Sequence, residues 1–240
     1  MPSFAELSNE FLDAEFAESP VRASSLGLTA YDGLLDDLSE AAFDRRRAAD
    51  AGWLERFRAV DEGELGFDER IDRDLVVSIL RGRQIVEDFE VWRRQPDTYL
   101  NPGMQGIFVL FLHRLRPIAQ LVDAAIARMR LIPGNLEDGK RNLRPEMVPA
   151  IFLDRAANQA RAGARYVREI LPAQVEDAAL ASRLVEAGAE AASAYDDYVA
   201  FLEEMRPAAS GEWALGEERY SALLREKELL GFGARDLRDR

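Results

Sequence analysis

The spacing of apolar residues constrains the fold of this chain more than any other feature. Apolar side chains recur every three or four residues, as in amphipathic helices, and no stretch shows the sustained alternation of a half-buried strand. The two longest predicted helices run from about Pro145 to about Leu171 and from about Asp177 to Met205. We therefore predict an all-α protein, a bundle-like array of about seven to nine helices with no significant sheet.

Two segments predict how these helices end and pack. Residues 132–135 include Pro133 and Gly134, so we expect the chain to leave the helical conformation there. Residues 186–194 are nearly all small. Small side chains let a second helix approach closely, so this segment predicts a tight helix crossing.

The proline- and glycine-containing stretch at 207–211 predicts a domain boundary. A terminal helix is expected to follow from about Gly216 to Gly231. We predict a main helical domain over residues 1–206. Residues 207–240 would then form a linker and a terminal helix that lead toward a C-terminal half outside this chain.

The composition excludes several classes of partner. A formal net charge of −13 opposes binding to nucleic acid and to anionic membranes, because both are polyanions. The longest apolar run, residues 104–112, is about half of what a membrane span needs. The first residues show neither a basic segment nor an apolar core typical of a secretory signal. We therefore expect an acidic, cytoplasmic protein with neither nucleic acid nor membrane as a partner.

The residue types present leave no complete catalytic or metal site. The chain has no cysteine and one histidine, His113, whereas an H-E-x-x-H zinc site needs two histidines one helical turn apart. Adjacent carboxylates such as Asp196 and Asp197 point about 100° apart on a helix, so they are not acid–base pairs by spacing alone. We predict no catalytic residue and no metal ligand in this chain.

A basic stripe is the clearest candidate for binding an anion. Arg161, Arg165 and Arg168 are spaced four and three residues apart on one predicted helix. Guanidinium groups can clamp a carboxylate or phosphate with a planar fork of donors. The alternative is a solvated stripe that pairs with the abundant acidic residues.

Four aromatic residues near the C-terminus allow two interpretations. Tyr195 and Tyr198 lie on the last long helix, and Trp213 and Tyr220 follow it. They could line a cleft, but their helical spacing favours packing in a core.

Short segments along nearly the whole chain carry a resemblance to a known family. They are SPVRASSLG at 19–27, YD at 31–32, DLS at 37–39, IDRDL at 71–75, PDTY at 96–99, IPGNL at 132–136, NL at 142–143 and GEERY at 216–220. In this order they resemble the N-terminal half of the bacterial family called domain of unknown function 885.

That family is similar to the gluzincin zinc peptidases, whose helices surround a cleft, and many of its members look like lipoproteins or secreted proteins. Its zinc-binding H-E-x-x-H helix lies in the C-terminal half, so the resemblance implies no catalytic residue here. It implies zinc only in a C-terminal half, and no cofactor in this chain. This sequence shows no lipoprotein signal, which departs from those members.

The resemblance implies a non-catalytic helical half of a zinc-metallopeptidase-like protein that forms one wall of a peptide-binding cleft. Gly216, Glu217 and Tyr220 are the candidates for contacting that cleft, because they lie next to the expected second half. Their alternative role is an ordinary helix start, with Gly216 at the N-cap and Glu217 favoured by the helix dipole.

The expected partners follow from this prediction. They are the C-terminal half of the protein or a peptide substrate, and a homodimer could form through exposed apolar surface. Under this prediction the chain alone is not an enzyme, and the full-length protein would be a metallopeptidase-type hydrolase. The alternative function is a self-standing helical module that binds a partner protein without enzymatic activity.

Overall fold

A computed structural model describes residues 3–239, and every regular element in this range is helical. The all-α prediction is confirmed. The α-helices are α1 (Phe4–Glu18), α2 (Pro20–Ser25), α3 (Glu40–Arg58), α4 (Phe67–Glu87), α5 (Val91–Arg94), α6 (Asn101–His113), α7 (Ile118–Asn142), α8 (Ala150–Arg165), α9 (Leu171–Ala173), α10 (Ala178–Met205), α11 (Glu217–Ala222) and α12 (Ala234–Arg238). Two π-helical turns, Tyr166–Ile170 and Leu223–Lys227, follow α8 and α11.

The chain folds into two compact units. The aromatic unit contains the residues up to Ala14, Ala41–Val91 and the residues from Glu212 onward. The long-helix unit contains Glu15–Glu40 and Trp92–Gly211. Helix α11, in the predicted terminal helix, belongs to the aromatic unit.

The core of the aromatic unit is built from rings. Phe11, on α1, meets Trp53 and Phe57, on α3, edge to face, with ring centroids 5.5 and 5.4 Å apart. Leu7, Leu54 and Leu80 are the other buried members of this cluster, and Trp53 is partly buried against it. Edge-to-face pairs place the positive edge of one ring on the negative face of another, which adds to the apolar burial.

Helix α4 presents apolar residues both to the core and to the surface of this unit. Leu80 is fully buried, whereas Phe67, Ile71 and Leu75 are 72%, 51% and 52% exposed. Because these three residues are spaced by four, they share one face of the helix. We call Phe67, Ile71 and Leu75 the α4 stripe.

Three long helices form the core of the long-helix unit, with α10 packed along α7 and α8. The predicted tight crossing on α10 is confirmed at Gly188. A Cβ atom added there would lie 2.6 Å from the carbonyl oxygen of Val167. A glycine is therefore needed at this position for the two backbones to approach so closely.

The two tyrosines of α10 lie in this core, as their helical spacing favoured. Tyr195 and Tyr198 are both fully buried. Tyr198 donates a hydrogen bond of 3.0 Å from its hydroxyl to the carbonyl of Pro96. Burial raises the pKa of both phenols, because an ionised phenol would lose its hydration.

A buried arginine fixes the irregular segment after α2. Arg128, on α7, is fully buried and donates to the carbonyls of Leu34 at 2.9 Å, Tyr31 at 3.2 Å and Gly106. Burial lowers the pKa of Arg128 to about 10, and Asp32 partly opposes that shift. The guanidinium thus ties this segment to α6 and α7.

The predicted break at residues 132–135 is wrong, because α7 runs through it without interruption. Pro133 lacks an amide hydrogen and removes one helical hydrogen bond. Its neighbours Ile132 and Leu136 are 2% and 1% exposed, so the burial of this face offsets the lost bond. Tertiary packing here outweighs the local signal for a turn.

The predicted terminal helix is shorter than expected. Helix α11 and its π-helical turn end at Lys227 rather than at Gly231, and Leu229 has a positive φ of 54°. The charged tail beyond contains the short helix α12. Within residues 3–239, no helix combines the length and apolar character that crossing a bilayer requires.

Candidate functional site

The structure brings the three predicted cleft residues together at the start of α11. Gly216 has a φ of +84°, a left-handed conformation that favours glycine, and its carbonyl accepts from the amide of Tyr220 at 3.1 Å. Glu217 is the first helical residue, and Tyr220 is 43% exposed. This geometry matches the helix-start alternative, and the proposed contact with a cleft stays a prediction.

A polar hollow of about 530 Å³ lies beside these residues in the aromatic unit. Its lining carries charges of both signs, from Glu217, Glu218, Arg225, Arg235 and Asp236, together with Ser221 and Gly233. Arg235 Nε lies 2.6 Å from Glu217 Oε1, and both side chains are at least half exposed. An exposed pair of this kind contributes about 0–1 kcal/mol, so a charged ligand could exchange with either partner.

Two groups in the hollow already serve the backbone of α12. Ser221 Oγ accepts from the amide of Ala234 at 3.0 Å, and Asp236 accepts from the amide of Gly233 at 2.8 Å. Residues 3–239 contain no group of three or more histidine or acidic side chains that could hold a metal ion. The hollow presents charged groups of both signs to a ligand.

The predicted arginine stripe faces solvent on α8 and its π-helical turn. Each guanidinium has a carboxylate partner: Arg161 pairs with Glu203, Arg165 with Glu169 at 3.4 Å, and Arg168 with Asp196 at 2.9 Å. The side chains of Arg161, Arg165 and Arg168 are 51%, 70% and 49% exposed. This arrangement matches the solvated alternative, and anion binding by the stripe stays a prediction.

The structure adds a concave groove that the sequence did not reveal. It lies on the long-helix unit, holds about 340 Å³ and is lined by Asn101, Met104, Gln105, Phe108, Gln159, Ala162, Tyr166 and Ile170. Helix α6 supplies one wall, and α8 with its π-helical turn supplies the other. We call this feature the α6–α8 groove.

Close helix packing shapes the α6–α8 groove. A Cβ atom added to Gly163 would lie 3.1 Å from the Tyr195 ring and 3.2 Å from Met104 Sδ, so α8 sits tightly against both. At the rim, Gln159 donates from Nε2 to Asn101 Oδ1 at 2.7 Å. These contacts hold a methionine and two amides in place without a charged group.

Tyr166 joins the groove to the interior. Its hydroxyl is buried and has no hydrogen-bond partner within residues 3–239, and burial raises the pKa of this phenol. An unsatisfied buried hydroxyl costs about 1–3 kcal/mol.

The sequence contained a signal for this groove that was ambiguous. Phe108 lies within the apolar run 104–112, whereas Tyr166 and Ile170 are spaced by four among charged residues. Helical periodicity does not separate the buried face from an exposed one when nearly all residues are apolar. In the structure Phe108 is 47% and Ile170 is 40% exposed.

Comparison with known proteins identifies the family. The sequence model of the family described as "Bacterial protein of unknown function (DUF885)" matches residues 20–237. The chain belongs to this family. The family predicted from the short segments is thereby confirmed, and the correspondence to its N-terminal half stays a prediction.

One solved structure shares the fold of this DUF885 chain. It is described as a putative lipoprotein of unknown function from Shewanella oneidensis, with a TM-score of 0.85 and 22% sequence identity. The likeness covers 100% of this chain and 45% of the other, so this chain spans less than half the length of that relative. No curated protein matches the DUF885 chain.

Proposed function

We propose that this chain is the N-terminal, non-catalytic half of a zinc-metallopeptidase-like bacterial protein and forms one wall of its peptide-binding cleft. The observation that carries the proposal is the extent of the structural likeness. All of this chain corresponds to 45% of a longer single chain with the same fold. A wall supplied by one half and chemistry supplied by the other would account for that proportion.

The residue content supports the same division of labour. One histidine and no cysteine cannot supply the two-histidine motif of this peptidase class. Zinc and the general base would come from the second half. The peptide-contacting role of Gly216, Glu217 and Tyr220, the confinement of zinc to that half and the cytoplasmic location all stay predictions.

Exposed apolar side chains support docking to a second half. The α4 stripe leaves Phe67 72% exposed and two aliphatic side chains about half exposed. Trp213 is 69% exposed in the same unit. Large exposed apolar residues on one helix face are typical of an interaction surface.

The test compares two proteins. The 240-residue chain should bind no zinc stoichiometrically and hydrolyse no peptide. The protein extended by the sequence encoded downstream of Arg240 should do both, and a downstream H-E-x-x-H with a later glutamate is expected. Stoichiometric zinc with peptidase activity in the 240-residue chain would refute the proposal.

The alternative, a self-standing module that binds a partner protein, is favoured by the α6–α8 groove. All of its lining lies within the long-helix unit, so the groove needs no other half. A stop codon directly after Arg240, together with a monodisperse monomer in sedimentation, would favour the module. A continuing reading frame and self-association through apolar surface would favour the half-protein.

A further inference from the structure

The α6–α8 groove is uncharged in a strongly charged protein. Charged residues make up 31% of the chain, yet none of the eight lining residues carries a charge. Its walls are Met104, Phe108, Tyr166 and Ile170, and its polar groups are three amides. A charged occupant would lose hydration here without gaining a counter-charge, so the groove selects against it.

The helical geometry at the groove is a second, independent observation. The π-helical turn Tyr166–Ile170 interrupts the α-helical run from α8 to α9 and places Tyr166 and Ile170 on the groove. Single π-helical turns inside α-helices are rare and occur frequently at functional sites. The turn, the buried Tyr166 hydroxyl and the groove coincide in one place.

We propose that the α6–α8 groove is the pocket that receives a large, uncharged apolar side chain of a bound peptide. This inference rests on the proposed peptide-binding function and names the substrate class. The hydrophobic walls take the side chain, and Asn101, Gln105 and Gln159 offer donors and acceptors to the peptide backbone next to it.

The size and chemistry of the groove fit this occupant. A volume of about 340 Å³ lies near the lower end of the range of about 300–1,000 Å³ for small-ligand sites. A few polar groups on an apolar pocket fix orientation, whereas the apolar walls supply affinity. Met104 is an unbranched, polarisable side chain that can adapt to aromatic or aliphatic groups.

The experiment follows the methionine methyl groups of the 240-residue chain by NMR. Five methionines are present, and Met104→Leu assigns the signal of Met104. The probes are N-acetylated, C-amidated Ala-X-Ala peptides with X as Phe, Leu, Asp or Lys. Phe and Leu peptides should shift the Met104 signal on titration and leave the buried Met129 unchanged. Asp and Lys peptides should bind at least about tenfold more weakly.

A variant with a large side chain in the α6–α8 groove tests the same proposal. Ala162 is an exposed lining residue of α8, and Ala162→Trp should weaken binding of the Phe peptide about tenfold or more. The control is Ala189→Trp, the same change at an exposed position on α10 that does not line the groove. The control variant should bind as the unaltered chain does.

Two results would overturn the proposal that the α6–α8 groove receives the peptide side chain. One is peptide binding that leaves Met104 unshifted and is unaffected by Ala162→Trp; the cleft wall would then lie elsewhere and the proposed function would stand. The other is no binding of the Phe or Leu peptide by a folded chain. The zinc and peptidase comparison with the extended protein would judge the proposed function separately in both cases.

Discussion

The two units differ in how many polar side chains they bury. The long-helix unit buries Arg128, Asn135, Asn142 and three tyrosines among its helices. The aromatic unit packs rings inside, yet leaves the α4 stripe on its surface. A buried polar group needs specific partners and so fixes one geometry, whereas apolar packing tolerates more arrangements. The comparison indicates a framework fixed by buried polar contacts in the long-helix unit and a core held mainly by apolar packing in the aromatic unit.

The asparagines illustrate the framework. Asn142 donates to the carbonyl of Leu38 at 3.0 Å, and Asn135 donates to the carbonyl of Asp36 at 3.3 Å. Both lie on α7, as does Arg128, and all three reach the irregular segment between α2 and α3. One helix face thereby orders a segment that has little regular structure of its own.

Raising the pH into the alkaline range should cause the largest loss of folding stability. The tyrosines responsible lie in the long-helix unit. Burial raises the pKa of Tyr99, Tyr195 and Tyr198, so their stabilising contribution is complete below the unfolded value of about 10 and is lost as pH rises above it. Arg128 acts oppositely, because its lowered pKa adds stability as the pH rises above about 10, but three groups outweigh one. Phenolate absorbance of these tyrosines should rise together with loss of helical circular dichroism.

Phenolate absorbance that reached its full value while the helices stayed intact would contradict this expectation. Tyr195→Phe and Tyr198→Phe serve as the matched variants. Each should move the alkaline transition to higher pH, because phenylalanine cannot ionise.

Replacing the buried arginine should be the most damaging single substitution. Arg128→Met should destabilise the chain by about 3 kcal/mol, because three carbonyls lose a donor in a buried site. Urea denaturation measures the loss, and hydrogen exchange should quicken at residues 29–38.

An exposed arginine on α10 is the control for that change. Arg183→Met removes a surface ion pair with Asp123, and the loss should stay below about 1 kcal/mol. Equal losses from Arg128→Met and Arg183→Met would mean that the buried guanidinium contributes no more than a surface pair does.

Two glycine substitutions, one in each unit, should change the free energy of unfolding in opposite directions. Gly188→Ala should destabilise by about 2 kcal/mol, because the new methyl group would push α10 away from the Val167 carbonyl. Gly52→Ala, on α3 of the aromatic unit, meets no atom within 4 Å and should stabilise by about 1 kcal/mol through helix propensity. Thermal unfolding of both variants measures the two changes in stability. A stabilising Gly188→Ala would show that the helix crossing is not tight.

The smallest effect on stability is expected on the surface of the aromatic unit. Ile71→Glu should change the free energy of unfolding by about 0.5 kcal/mol or less, because the side chain is half exposed. If the α4 stripe is adhesive, the same change should reduce self-association in sedimentation. Glu55→Gln, an exposed change on α3, should leave self-association as it was.

Sequence reasoning succeeded where the local signals agree with one another. The last long helix was predicted from about Asp177 to Met205, and α10 runs from Ala178 to Met205 with Asp177 as its N-cap. Asp177 Oδ1 accepts from the amides of Ala179 and Leu180 at 2.8 and 3.0 Å. A capping side chain followed by periodic apolar residues leaves one interpretation open.

Prediction failed where tertiary contacts decide the outcome. Pro133 predicts a break, and the burial of Ile132 and Leu136 overrides it. The α6–α8 groove was not predicted for a related reason, because the apolar run 104–112 does not indicate which of its residues another helix will cover. The π-helical turns differ from α-helix by a shift of one hydrogen-bond partner, which leaves no mark in apolar spacing.

The turn at Tyr166–Ile170 also has a consequence for how the groove changes over generations. It corresponds to one additional residue within a helix, and the wider turn absorbs that residue, so deleting a single codon there would restore α-helical hydrogen bonding while the helix beyond keeps its phase. The bulge that places Tyr166 and Ile170 on the groove would then be lost in one step, without any substitution. Comparing chain lengths at this position among family members would sort those that keep the groove from those that have lost it.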